Sequence, residues 1–88
     1  METIHLPLIS STHYDAFRAL FKGGLPDTYD EWNNLHMQHI TDCIRQGLAY
    51  DEISIILEEF VAYCRASGSL PKPIVLRRFA REKALKKT

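Results

Sequence analysis

Residues 48–60, LAYDEISIILEEF, decide the fold. As a strand, the stretch is well supplied: Tyr50, Ile53, Ile55 and Ile56 are aromatic or β-branched and suit a pleated, half-buried surface. As a helix it also has a pattern, because Ile53, Ile56, Leu57, Phe60 and Cys64 recur at helical spacing. The helical reading leads to an all-α bundle. The strand reading requires a partner, since a lone strand leaves its backbone donors and acceptors unpaired. The other end of the chain offers one. There Ile4, Leu6 and Leu8 alternate with Thr3, His5 and Pro7, a period of two. The expectation is therefore a strand over about 49–55 paired with the N-terminal one, then a helix over about 57–67 ended by Gly68. Pro7 lacks a backbone donor, so its strand is short or lies at an edge.

Three more helices flank this pair. Thr12 and Asp15 fit a capping box ahead of Phe17, Leu20 and Phe21, and Lys22-Gly23-Gly24 ends that helix. Thr28 and Glu31 form a clearer box ahead of a helix from about Tyr29 to Gln46, with Gly47 after it. Tyr29, Trp32, His36, Ile40, Cys43 and Ile44 lie along one side of it. Leu70-Pro71-Lys72-Pro73 is a rigid connector, and Pro73 suits a first helical position, where no donor is needed. The last helix, about 73–86, carries Ile74, Val75, Leu76, Phe79 and Ala80 toward the core, and its end at Lys86-Lys87-Thr88 is expected to fray. The fold class expected is α+β, mostly helical, with about four helices and a minimal two-stranded sheet, in a single domain spanning residues 1–88. The all-α bundle is the alternative. A two-stranded sheet is marginal by itself and leaves an edge open, which packing against helices or pairing with another copy would relieve.

Composition narrows the function classes. Apolar residues make up 45% of the 88 and charged residues 25%, so the chain can bury a core of modest size and is not disordered throughout. The formal net charge is zero, which argues against a generic polyanion binder. Two cysteines are too few for a disulfide framework; Cys43 and Cys64 sit in apolar helical patterns and read as buried free thiols, which favours a reducing, cytoplasmic compartment. The N-terminal residues have neither a basic region nor a long apolar run, so they are not a signal peptide, and no stretch approaches the roughly 20 apolar residues of a membrane span.

The charge is unevenly placed. Lys72, Arg77, Arg78, Arg81, Lys83, Lys86 and Lys87 face only Glu82 within residues 72–88, so the rest of the chain is as acidic as this segment is basic. Arg77, Arg78 and Arg81 share the helix face opposite the apolar stripe and are the candidate contacts to phosphates or to an acidic partner. A solvated terminal helix with cations near its own C-terminus explains the same residues without a ligand. The aromatics that usually accompany single-strand nucleic-acid binding are missing from this face, since Phe79 points inward.

A second constellation is Trp32, His36, His39 and Cys43, which successive helical steps keep on one face. Imidazoles and a thiolate suit zinc, so His36, His39 and Cys43 form a weak metal alternative, with a fourth ligand to come from elsewhere, such as Cys64 or His5. Their spacing matches no finger, ribbon or protease helix, and core packing of His36 and Cys43 explains them more simply. As a catalytic pair, His39 and Cys43 suffer from the helix C-terminus, whose dipole disfavours a thiolate. Gly23-Gly24 lacks the lysine of a phosphate loop. Glu58 and Glu59, like Asp30 and Glu31, complement helix dipoles. No catalytic set and no cofactor motif emerges. The expectation is a small non-enzymatic protein-interaction module that pairs with itself or with an acidic protein. The alternative is a nucleic-acid-binding accessory protein using the basic last helix. A peripheral membrane contact through that helix is a lesser reading.

Overall fold

Residues 49–54 are a strand. The computed structural model describes residues 3–86 and runs β1 (Thr3–Leu8), a 3-10 turn (Ser11–His13), α1 (Tyr14–Phe21), α2 (Tyr29–Arg45), β2 (Ala49–Ser54), α3 (Leu57–Ser67) and α4 (Pro73–Leu85). The protein is a mostly helical α+β fold with four α-helices and a two-stranded sheet among the described residues. The strands are parallel, in register from Thr3 opposite Ala49 to Leu8 opposite Ser54. Parallel pairing follows from what lies between them, because α1 and α2 carry the chain back to the starting end of β1 before β2 begins.

The helix boundaries follow local chemistry. Thr28 Oγ1 accepts from the Glu31 backbone N–H at 3.1 Å and donates to Glu31 Oε1 at 3.2 Å, so the expected cap opens α2. Gly47, with φ of 71°, closes it: the Leu48 N–H reaches back to the Cys43 carbonyl at 2.9 Å. Pro73 occupies the first turn of α4. The Thr12–Asp15 box does not form. Ser10 takes the capping role for the 3-10 turn, its Oγ accepting from the Thr12 N–H at 3.3 Å and meeting Thr12 Oγ1 at 2.6 Å. Thr12 is thereby drawn into the turn, and α1 starts at Tyr14 without a side-chain cap. Lys86 caps α4, whereas Lys87 and Thr88, the rest of the expected frayed end, lie outside the described residues.

The main core is aromatic. Phe60 of α3 lies 6.5 Å from Phe17, 5.7 Å from Phe21 and 5.7 Å from Phe79, measured between ring centroids, so it ties α1 to α3 and α4. Ile9, Tyr14, Trp32, Ile55, Cys64, Val75, Leu76 and Ala80 complete the cluster, with Ile53 packed against it. Tyr14 donates its hydroxyl proton to the Pro26 carbonyl at 2.6 Å, and burial pushes its phenol pKa up. The face of the sheet that carries Leu6 and Glu52 lies under α2. There Leu6, His36, Ile40 and Cys43 are buried. Two isoleucines expected inside are instead exposed, Ile44 by 65% and Ile74 by 74%, and Ile56 is exposed by 48%. Ile44 sits one residue beyond the buried stripe of α2. Ile56 is the extended residue before α3. Ile74 follows Pro73 in the first turn of α4, where Val75 and Leu76 take the inward positions.

Among the described residues, no helix is long and apolar enough to cross a membrane.

Candidate interaction site

The three arginines of α4 separate into two kinds. Arg78 is committed within the fold. Its Nε donates to the Tyr63 hydroxyl at 2.8 Å, its guanidinium donates to Ser69 Oγ at 2.7 Å, and its Cζ stands 5.7 Å from the Tyr63 ring centroid. Tyr63 in turn donates to the Glu82 carboxylate, and this bond is the main reason its phenol pKa is raised. The chain of bonds stitches α3 to α4. Lys83 does similar work, pairing with Glu59 at 2.9 Å and donating to the Ser54 carbonyl at 2.8 Å.

Arg77 and Arg81 are different. Both are exposed, and neither has a hydrogen bond or an ion pair with any other described residue. They line a groove whose other wall is β1 at Thr3, Ile4 and His5, with Ile74 at one end. Packing creates this arrangement: α4 turns Val75, Leu76 and Ala80 into the core, which leaves Ile74, Arg77 and Arg81 as an outward stripe beside β1. Helix periodicity made these arginines visible in the sequence. The groove itself was not, because its other wall comes from the far end of the chain.

The groove continues past Arg77 into a second, more apolar hollow. β1 contributes Leu6 and Pro7, α2 contributes Trp32, Leu35, His36 and His39, and Ile74 and Arg77 are shared with the first groove. Leu35 and Ile74 are exposed apolar side chains at its rim.

The face of α2 singled out by sequence is thus divided by its neighbours. Trp32 is buried among Tyr14, Tyr29 and His36, at centroid distances of 6.3, 5.9 and 5.0 Å. The His36 ring is stacked on the indole at an interplanar angle of 12°, and its Nε2 meets Glu52 Oε1 at 2.7 Å. Its side chain is 5% exposed, against 41% for Glu52, so one end of the pair is dry and the other is wet. His39, one turn on, is exposed at the hollow, and Cys43 is buried beyond it. Cys64 belongs to the main core and is free like Cys43. Burial pushes the Cys64 thiol up, away from the thiolate that a nucleophile or metal ligand requires. Among the described residues, no three His, Cys, Asp or Glu side chains come together as metal ligands would. His5 and Cys64, the further ligands that the sequence offered, stand in the arginine groove and in the main core.

No protein family, curated protein or solved structure shows significant similarity to the chain. A functional reading therefore has to come from the chemistry of the site itself.

Proposed function

We propose that the protein is a small interaction module that works by binding rather than by catalysis, and that its binding surface is the groove between α4 and β1. One observation carries the reading: Arg77 and Arg81 stand along a groove without a partner among the described residues, while Arg78 and Lys83 of the same helix are tied down. Two cations held on a rigid helix beside a hollow favour an acidic protein partner, through charge-assisted hydrogen bonds and faster encounter. The acidic remainder of a second copy belongs to that class of partner, so self-association is part of the proposal. Both cysteines are free and buried, which supports a reducing cytoplasmic setting.

The test uses the full chain and a fluorescent hexaglutamate peptide. Fluorescence anisotropy should report binding that weakens with salt and is lost in the Arg77→Glu, Arg81→Glu double variant. Sedimentation across concentrations reports self-association in the same buffers. A chain that stays monomeric at every concentration and leaves the peptide unbound at low salt refutes the proposal. Tighter binding of a duplex or single-stranded oligonucleotide, with a steep salt slope, would replace it with the nucleic-acid reading.

A further inference from the structure

We infer that the groove takes an extended acidic segment that adds to β1 as a third strand. The inference rests on the acidic-partner reading and specifies how such a partner would bind.

The first support is the direction in which the backbone of β1 points. In a parallel pair, the N–H and C=O of one residue point to the same side, and successive residues alternate. The Leu8 carbonyl accepts from the Ile55 N–H at 3.0 Å, so Leu8 points toward β2. Register then turns Ile4 and Leu6 toward β2 and turns Thr3, His5 and Pro7 outward. Among the described residues β1 has no second strand neighbour. Its outer edge therefore offers the N–H and C=O of Thr3 and His5 and the C=O of Pro7. Proline is tolerated at residue 7 because the donor it lacks would face outward.

The two edges of the sheet are treated differently. By the same parity the Ser54 carbonyl points out from β2, and Lys83 Nζ covers it at 2.8 Å. Natural proteins usually blunt a free edge in some such way. On β1 the only comparable device among the described residues is Pro7, which deletes one donor and leaves the others.

The groove follows the edge. Thr3, Ile4 and His5 line its arginine end, and Leu6 and Pro7 line its apolar end. Side chains of a strand alternate between faces, so a run of five successive residues is what an edge presents, not a face. Ile74 and Arg77 line both ends, so the two hollows adjoin along the strand. A strand laid there would be flanked on the α4 side by Ile74, Arg77 and Arg81, and on the α2 side by Leu35 and His39. Two partnerless arginines call for carboxylates, and the exposed Ile74 and Leu35, at 74% and 47%, call for an apolar side chain near Pro7. The occupant is thus an extended peptide in which glutamate or aspartate, turned toward Arg77 and Arg81, alternates with apolar residues, one of which lies near Pro7. Main-chain bonds would supply affinity, and the flanking side chains would supply specificity.

The probe is a labelled eight-residue peptide of alternating glutamate and valine, tested against the full chain and against two N-methylated versions. One version blocks the amides of odd positions, the other those of even positions. Strand addition predicts that one version binds about tenfold or more weaker for each bond lost while the other binds like the parent. It also predicts that the His5 amide gains protection from hydrogen exchange on binding, while the Leu6 amide, already turned toward β2, does not change. His5→Pro removes an outward donor and should weaken binding in the same way. Because N-methylation leaves the protein untouched, the test does not depend on how that variant folds. If the parent peptide binds and needs Arg77 and Arg81, but both methylated forms bind equally and His5 stays unprotected, strand addition is wrong and the acidic-partner reading stands. If no peptide binds, strand addition by an acidic peptide falls, and the acidic-partner reading falls with it where the chain also stays monomeric at every concentration. If raising the protein concentration alone protects His5, the edge is filled by a second copy and the peptide assignment is overturned.

Discussion

Replacing Trp32 by alanine tests whether the aromatic face of α2 is core or binding surface. The indole is 8% exposed and packs against Tyr14, Tyr29 and the stacked His36 ring. Truncation removes the whole ring system and leaves those three rings facing a void. Tryptophan-to-alanine changes in such settings cost about 3–5 kcal/mol. A domain of this length is stable by about 5–10 kcal/mol, so from about a third to all of the stability would go. At about 4–8 °C per kcal/mol for domains near this size, the midpoint should fall by about 12–40 °C. Thermal and urea melts followed by far-ultraviolet circular dichroism give both numbers. Trp32→Phe keeps an aromatic ring in place and should lose only about 1–2 kcal/mol. A Trp32→Ala melt within a few degrees of the parent would refute the reasoning. It would mean that the indole contributes to the hollow beside β1 and not to the fold.

Three further outcomes are expected. Lys22 has a left-handed backbone, φ of 48°, where a side chain is strained, so Lys22→Gly should raise stability by about 0.5–1 kcal/mol in urea melts, and a loss would show that its side chain matters more than its backbone. Glu52→Ala should cost about 1 kcal/mol, because His36 loses its Nε2 partner while water can reach the vacated, partly exposed place; an unchanged urea midpoint would show the pair to be idle. Burial raises the Tyr14 phenol above its ordinary 10.0, so the neutral form is favoured in the folded state: stability should be level below that value and fall as pH rises through the higher folded one. Tyr14→Phe, referred to its own stability at neutral pH, should lose less across that alkaline window in urea melts, and an identical loss would place the effect on another group.

Much of the architecture was legible because it is written in local chemistry. Thr28 with Glu31, Gly47, Gly68 and Pro73 set helix ends through the backbone groups beside them, and the structure keeps all four positions. The strand reading of residues 49–55, observed over 49–54, followed from a need for pairing that β1 could meet. Failures came where two local options competed. Ser10 and Thr12 both carry a hydroxyl ahead of α1, and only the folded turn chooses between them. Ile44 and Ile74 lie at the margins of their apolar stripes, where a shift of one residue exchanges inside for outside. For the site, sequence could place three arginines on one helix face. It could not show that Tyr63 and Ser69 take Arg78, because one partner lies on α3 and the other in the connector after it. Nor could it show that His36 is held by Glu52, since helix periodicity says nothing about the strand lying beneath.

The parallel pairing of β1 with β2 also sets an order of assembly. Thr3 meets Ala49 only after α1 and α2 have been made and folded back, so the sheet closes late, across a long loop. Contacts between residues so far apart in sequence slow folding more than helix contacts do. During synthesis β1 leaves the ribosome before β2 and waits with both edges bare until β2 emerges. In that interval any strand-forming segment nearby can compete for it. Recovery of native protein from urea should accordingly fall as protein concentration rises, and fall most when β1 has had longest to find the wrong neighbour.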